Sequence, residues 1–514
     1  MSDNRRVEAA WEYHDATKHS YRSVRESTHT LDFDNYPLPF KIYETLEPIP
    51  LPQDGPSLRM PALAAIADPG VSLAGERIPD LRALARLLHL SAGITRHQGA
   101  QDLEIQFRAA ACTGALYHID LYVACGDLPG LPAGVYHFGV HDFALRRLRA
   151  GDHRAVLIEA TGGEAAMAAA PAVLVCTDTF WRNAWKYRGR AYRHGFWDTG
   201  TILANLLAVA AAHDLPAKVV LGFADDAVNR LLDLNTDKEV ALALVPVGRT
   251  VDPIPPSPPA IEPLGLPVTP PSRYEVDYPA IRAMHAASSL ASGEEAAAWR
   301  VAAPSGDPPA ASGATLALPV VGQQEVPRDP VDAVIVRRGS SRQFGHDPLP
   351  LAQVATLLDR ATRGVPADFL GPPGATLNTL YLIVNAVDGL ARGIYVYHRG
   401  AQTLELLREG KFRQHAGYLG LEQGLPADAA VNVYFLTDLA KVLKRFGNRG
   451  YRAAQLEAGI LGGKMYLAAY AHRFGATGLT FFDDDVTEFF SPHAAGKSVM
   501  FLTALGHPAR RRPT

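Results

Sequence analysis

Cysteine is scarce. The 514 residues hold three, Cys112, Cys125 and Cys176, unevenly spaced and with no CxxC pair. That argues against a disulfide framework or a zinc site and for a reducing compartment. Net charge is nearly absent too, at −3, so the charge balance calls for neither nucleic acid nor an anionic membrane. Long apolar runs are missing. The longest, residues 201–212, is too short and too rich in alanine to span a bilayer. The opening MSDNRRVEAAWEYHDATKHS carries no apolar signal core. No GxGxxG dinucleotide fingerprint occurs. The expectation is a soluble, cytoplasmic protein with no nucleic-acid partner, no membrane partner and no metal.

What the chain does have is a repeat. Leu121-Tyr122-Val123 and Leu380-Tyr381-Leu382 lie 259 residues apart, as do Gly134-Val135-Tyr136 and Gly393-Ile394-Tyr395. The same interval relates Leu148-Arg149-Ala150-Gly151 to Leu407-Arg408-Glu409-Gly410. It also relates Arg190, Tyr192 and Arg193 to Arg449, Tyr451 and Arg452, and Gly200 to Gly459. A fixed register of domain size means a tandem pair of units. Each copy reads as an amphipathic helix (81–90; 351–361), a loop, two strands, a long apolar helix (198–213; 456–474) and a last strand (240–247; 499–505). That is an α+β arrangement, a sheet with long helices packed on it. The predicted organisation is an N-terminal arm (1–57), a first domain (58–252), a Pro/Ala-rich linker (253–330) and a second domain (331–514). The linker composition favours extended chain, within which 278–292 could form a helix docked on one half.

The second copy opens with an apolar helical stretch followed by Arg337-Arg338-Gly339-Ser340-Ser341-Arg342. Arg338, Ser340 and Arg342 form an anion-binding arrangement: two guanidinium groups and a hydroxyl can grip a phosphate dianion. A solvated basic loop is the plainer alternative. The motif lies between two helices, about twenty residues before a Gly-rich loop and a strand pair. That layout resembles the nitroreductase family, whose FMN phosphate is held by such a motif. Within the family the first copy resembles the SagB-type branch, the azoline dehydrogenases of thiazole/oxazole peptide pathways. Three stretches carry the likeness: Cys112-Thr113-Gly114-Ala115-Leu116-Tyr117 beside the flavin ring, Lys186-Tyr187 in the segment WKYRGRAYRH, and Gly222-Phe223-Ala224-Asp225. Cys112 and Thr113 replace the branch's usual Pro-Ser.

The resemblance implies two tandem nitroreductase-like, FMN-dependent domains forming an internal pseudo-dimer. The copies differ in complementary ways. The arginine motif has no counterpart in residues 71–79 (VSLAGERIP). Lys186 and Tyr187 become Arg445 and Phe446, and the second ring loop reads GPPGAT at 371–376. One composite FMN site is therefore expected. Arg337, Arg338, Ser340, Arg342, Gly478 and Leu479 would hold the cofactor from the C-terminal half, and Cys112, Thr113, Gly114, Ala115 and Leu116 from the other. Arg510–Arg512 could add a phosphate contact or be a solvated tail. By resemblance Lys186 is the general base and Tyr187 its acid partner or relay, with oxygen as electron acceptor.

The function expected is removal of two hydrogens from a peptide-derived heterocycle, azoline to azole. A small-molecule or peptide substrate and a cyclodehydratase-like biosynthetic partner go with it. The alternatives are an NAD(P)H-dependent nitro- or quinone reductase and a non-catalytic peptide-binding pseudoenzyme. A monomer or a homodimer is compatible with the pattern. Arg190, Tyr192 and Arg193, kept in both copies, read as structural anchors. So does the arm with His14, Lys18 and His19.

Overall fold

A computed structural model describes residues 3–68, 75–100, 103–251, 253, 260–301, 311, 313–322, 324–371 and 375–509. Two antiparallel sheets organise it. The first runs, edge to edge, Pro48–Pro50, Ala144–Ala150, Gly134–Gly139, Ile119–Cys125, Ala172–Thr179 and Glu239–Val247. The second runs Thr315–Ala317, Thr403–Glu409, Gly393–His398, Asn378–Val384, Val431–Thr437, Ser498–Gly506 and Gly475–Leu479. Five strands of the first sheet begin 259 residues before their counterparts in the second. Even the bulges repeat. The ladder slips between Val135 and Tyr136 and again between Ile394 and Tyr395, and between Cys176 and Thr177 as between Phe435 and Leu436. A bulge bends its strand and sharpens its twist, so both sheets curve alike.

The central strands are buried on both faces. Along Ile119–Cys125, Leu121, Val123 and Cys125 enter a core shared by the two halves, while Tyr122 and Ala124 enter a second cluster. Successive side chains point to opposite faces, so a strand covered on both sides reads as a continuous apolar run. The shared core is built on two long helices, Ala191–Ala212 and Arg449–Ala471, buried along nearly their whole length. They meet backbone to backbone. A Cβ on Gly200 would lie 2.5 Å from the carbonyl carbon of Gly459, and one on Gly459 would lie 2.7 Å from the carbonyl oxygen of Trp197. Among the described residues, one helical stretch is long and apolar enough to cross a membrane, Phe180–Ala212, and 89% of its 18-residue apolar window is buried inside the protein.

The stretch between the copies is more structured than its composition suggests. It carries helices Pro279–Ala287 and Gly293–Val301 and the edge strand Thr315–Ala317. The first helix bridges both halves instead of docking on one. It is also the counterpart of the arm helix Glu8–Ala16, at an interval of 271 residues instead of 259. Arg193 donates to the Thr17 hydroxyl (2.9 Å), to Asp483 (2.6 Å) and to the His14 carbonyl (2.5 Å). Arg452 donates to the Ser288 hydroxyl (2.8 Å), to Asp225 (2.7 Å) and to the His285 carbonyl (2.6 Å). Each carboxylate belongs to one half and its arginine to the other. Arg190 also reaches Asp483, and Arg449 reaches Asp225.

Burial alone would raise these two carboxyls. The paired guanidinium groups outweigh it and hold both at about 2. A carboxyl held there, against an ordinary 3.9, contributes about 2.6 kcal/mol at neutral pH. Its folded pKa is depressed, so that stability is present above pH 4 and drains away as pH falls toward 2. Asp483→Asn should cost roughly 3–5 kcal/mol, because it leaves buried guanidinium uncompensated. It should also flatten the acid limb. Urea unfolding between pH 2 and 7 measures both; an unchanged acid limb in the variant would refute the assignment.

Candidate functional site

The loop between Arg108 and strand Ile119–Cys125 makes one 3-10 turn, Thr113–Ala115, with positive φ at Gly114 (67°), Ala115 (56°) and Tyr117 (48°). Gly114 is required twice over. Its φ suits glycine, and an added Cβ would come 2.9 Å from the Tyr187 hydroxyl. The loop is pinned from the first long helix by Asp198. That carboxylate accepts from the Thr113 N–H (2.9 Å), the Thr113 hydroxyl (2.9 Å) and the Cys112 thiol (3.1 Å). His118 stands between it and Asp178, with Nε2 2.8 Å from Asp198 and Nδ1 2.7 Å from Asp178. Burial opposes charge on this imidazole. The flanking carboxylates, Asp178 foremost, outweigh it and keep His118 protonated well above its usual range. Burial, then Asp198, pushes the Cys112 thiol up to about 11, so it stays a neutral donor. Ligand atoms of Cys112, His118 and Asp198 lie within 4.8 Å of one another, a spacing a metal ion could use; here hydrogen bonds join them.

The second half repeats the pin. Glu457, at the Asp198 position, accepts from the Thr376 hydroxyl (2.6 Å) and from the N–H groups of Leu377 (2.8 Å) and Asn378 (2.9 Å). Sequence reading passed over Asp198 and His118. The signal that could have found Asp198 was available: an acidic residue at the same point of both long helices.

Lys186 and Tyr187 end the helix Phe180–Tyr187. Lys186 is half-buried, its ammonium 5.3 Å from the Tyr187 ring centre. Burial raises the Tyr187 phenol, with Asp198 and Cys112 adding to it and Arg342 working the other way, so it is a neutral donor. Its ring meets His194 edge-on at 4.6 Å. His194 is itself driven toward its neutral form by burial and by Arg190. Its Nδ1 lies 2.8 Å from Asn183 Oδ1, while Nε2 has no hydrogen-bond partner among the described residues.

The arginine motif follows helix Val331–Arg337. Arg338 crosses to the other half and donates to the carbonyls of Arg108 and Ala109, both at 2.9 Å. It thereby ties the motif to the base of the ring loop. Ser340 Oγ lies 3.3 Å from the Tyr466 hydroxyl, which accepts from the Gly478 N–H at 2.5 Å. Arg342 is exposed, within electrostatic reach of Tyr187. Arg337 differs from expectation: it is engaged by Asp329 (2.6 Å) and the Tyr470 carbonyl (2.9 Å). Leu479 is half-buried beside Thr480, whose buried hydroxyl has no partner among the described residues. Tyr466 and Arg96 are further members. Arg96 Nη1 lies 3.9 Å from where a Cβ on Gly339 would be. Neither belongs to a motif, and only tertiary packing brings them there. Thus Ser340, Tyr466 and Gly478 are joined by hydrogen bonds, with Arg338 over the Tyr466 ring and Arg96 beside Gly339.

The counterpart place in the other pairing of halves is filled by the chain itself. Val219, the counterpart of Gly478, donates to the Pro366 carbonyl (2.8 Å), and Asp368 accepts from the N–H groups of Leu221 (2.8 Å) and Gly222 (2.9 Å). Trp299, 1% exposed, packs at 5.1 Å on Phe446, the counterpart of Tyr187. Residues 71–74, 372–374 and Arg510–Arg512, invoked from sequence, lie outside the described residues. In the arm, His14 packs on Tyr451, Lys18 pairs with Asp15 and Asp484, and the His19 N–H donates to Asp483.

The family model for "Nitroreductase family" matches the chain twice, over residues 81–249 and 335–507, together well over half its length. A solved nitroreductase structure from Anabaena variabilis superposes with TM-score 0.76 and 26% identity, covering 98% of this chain and 99% of the other. A Methanocaldococcus jannaschii protein named as a nitroreductase is 28% identical over 180 residues, 34% of this chain and 82% of the relative.

If Asp198 pins the ring loop, Asp198→Ala should speed amide hydrogen exchange across 112–117 by about tenfold or more, since local opening sets exchange. The loop held by Glu457 should be unaffected. Unaltered exchange at Thr113 would remove the pin.

Proposed function

Because the chain belongs to the nitroreductase family, we propose that it is an FMN-dependent dehydrogenase or oxidase with one flavin site per chain, acting on a peptide-derived or related heterocycle such as an azoline. Two tandem nitroreductase domains make up most of its length. The observation that carries the reading is the meeting of unlike parts across the halves: Arg338 bonded to the base of the ring loop, and Arg342 within reach of Tyr187. Ser340, Arg342, Thr480 and the Gly478 strand would hold the FMN phosphate side. The loop Cys112–Leu116, held by Asp198, would face its ring. Arg96 and Arg338 add positive charge near the phosphate, while Arg337 serves the fold through Asp329.

Bound there, FMN would supply the two-electron acceptor that no side chain provides. The protein's part is to place the substrate and move a proton. Lys186, half-buried and making no hydrogen bond to a described residue, would act as the base through its amine form, taking a proton from a ring carbon. Tyr187, neutral and packed on Gly114, donates a hydrogen bond that orients the substrate. His118 and Asp178 fix Asp198, and so the loop.

Purified protein should carry one flavin per chain; a ratio of two would sink the single-site reading. Arg342→Ala should weaken FMN binding about 30-fold, the worth of roughly 2 kcal/mol for a charge-assisted bond. Lys186→Ala should keep its flavin and lose about 10²–10⁴ in turnover of an azoline substrate. Full turnover in that variant, or steady NADPH oxidation with a nitroaromatic and no azoline activity, would replace this reading with a reductase.

A further inference from the structure

The arm residues 26–36 are largely exposed, yet they are firmly tied. The Trp185 indole N–H donates to the Asp32 carbonyl at 3.1 Å, and His29 Nε2 lies 3.2 Å from the Trp185 carbonyl. Asn35, 2% exposed, exchanges two hydrogen bonds with the backbone of Tyr274, at 3.0 and 3.2 Å, and the Tyr274 hydroxyl donates to Asp32 at 2.7 Å. This anchoring does not bury the two rings it carries. Phe33 is 70% exposed and Tyr36 is 44% exposed. Both stand nearly perpendicular to Trp185, at 5.6 and 5.0 Å. Trp185 immediately precedes Lys186 and Tyr187, and Tyr36 lies within electrostatic reach of Cys112 of the ring loop. Wet apolar rings held rigidly beside a reactive cleft mark a surface that a ligand covers.

The other pairing of halves shows what size of group belongs beside that helix end. There the chain supplies its own: Trp299 is buried on Phe446 and donates to the Phe446 carbonyl at 2.9 Å. On the Tyr187 side the corresponding stretch of arm stays open and offers ring edges and faces instead.

We propose that Phe33 and Tyr36, with Trp185, form an aromatic wall that receives a flat, unsaturated ring of the substrate and sets selectivity for it. The proposal rests on the Lys186–Tyr187 cleft being the flavin site. Edge-to-face packing on Trp185 fixes the two rings while leaving area for a planar partner. Neither residue takes part in proton movement; both are specificity-determining.

The test uses the FMN-loaded full chain, reduced anaerobically and mixed by stopped flow with one of two oxidants. Menadione is a flat quinone, reduced to its hydroquinone; ferricyanide is an octahedral anion with no ring to stack. Phe33→Ala and Tyr36→Ala should each raise the menadione concentration giving half-maximal reoxidation about tenfold, with flavin content and the ferricyanide rate unchanged. Tyr21→Ala, an arm ring of 46% exposure away from Trp185, should change nothing. An unmoved menadione half-saturation in both wall variants overturns the wall. So does an equal loss with both oxidants, which would mean a general disturbance. A chain that takes up no FMN fails differently: it removes the cofactor reading itself, and the wall with it.

Discussion

Contact between two helix backbones needs residues without side chains, and at the tightest point the chain supplies Gly200 on one long helix and Gly459 on the other, with Gly463 against Thr201 one turn on. A Cβ at either would overlap the other helix, so the approach cannot be loosened by one small adjustment. From that crossing the rest is set. The helix that carries Gly200 also carries Asp198, two residues earlier, and so fixes the height of the ring loop. Its partner carries Glu457 before Gly459 and Tyr466 after it, and so positions the second loop and the hydroxyl shared by Ser340 and Gly478. The cleft is thus a by-product of how two helices touch.

Buried ion pairs at the arm helices close the same arrangement from outside. Each draws its acid from one half and its base from the other. Separating the halves would therefore strand charges in a desolvated core, a much larger cost than losing a surface contact. The apolar core shared across the halves adds a non-directional contribution.

The repeat was legible because backbone hydrogen bonding tolerates no change of register: a strand shifted by one residue turns its apolar face outward. The 259-residue interval therefore survives in strand starts and in bulges. The second correspondence, between arm and linker helices, was hidden. Its interval is 271 residues, and what is kept is little: His14 with His285, a hydroxyl at Thr17 and Ser288, and two alanine pairs, Ala9 with Ala280 and Ala16 with Ala287. Its binding role runs through main-chain carbonyls, which any residue offers. For the same reason Arg337 looked like a phosphate ligand. Its guanidinium chemistry is right, but Asp329 and the Tyr470 carbonyl, invisible in a local motif, claim it. Arg338, Ser340, Arg342, Lys186 and Tyr187 stand out in the sequence because each sits in a short segment of distinctive chemistry, and the structure ties Arg338 to the ring loop and packs Tyr187 on Gly114. Tyr466 and Arg96 come from elements whose local sequence is ordinary.

Joining the halves in one polypeptide changes the law that governs the cleft. Where such a cleft is shared by two separate chains, the fraction assembled depends on how much protein is present, and dilution empties it. Here the partner is always attached, at an effective concentration set by the chain and not by the solution. The cleft is then as complete in one isolated molecule as in a crowded suspension. Each side has also been released from having to serve as its own mirror image: Tyr187 and Phe446, or Gly478 and Val219, have separated into different residues because no symmetry axis obliges them to match.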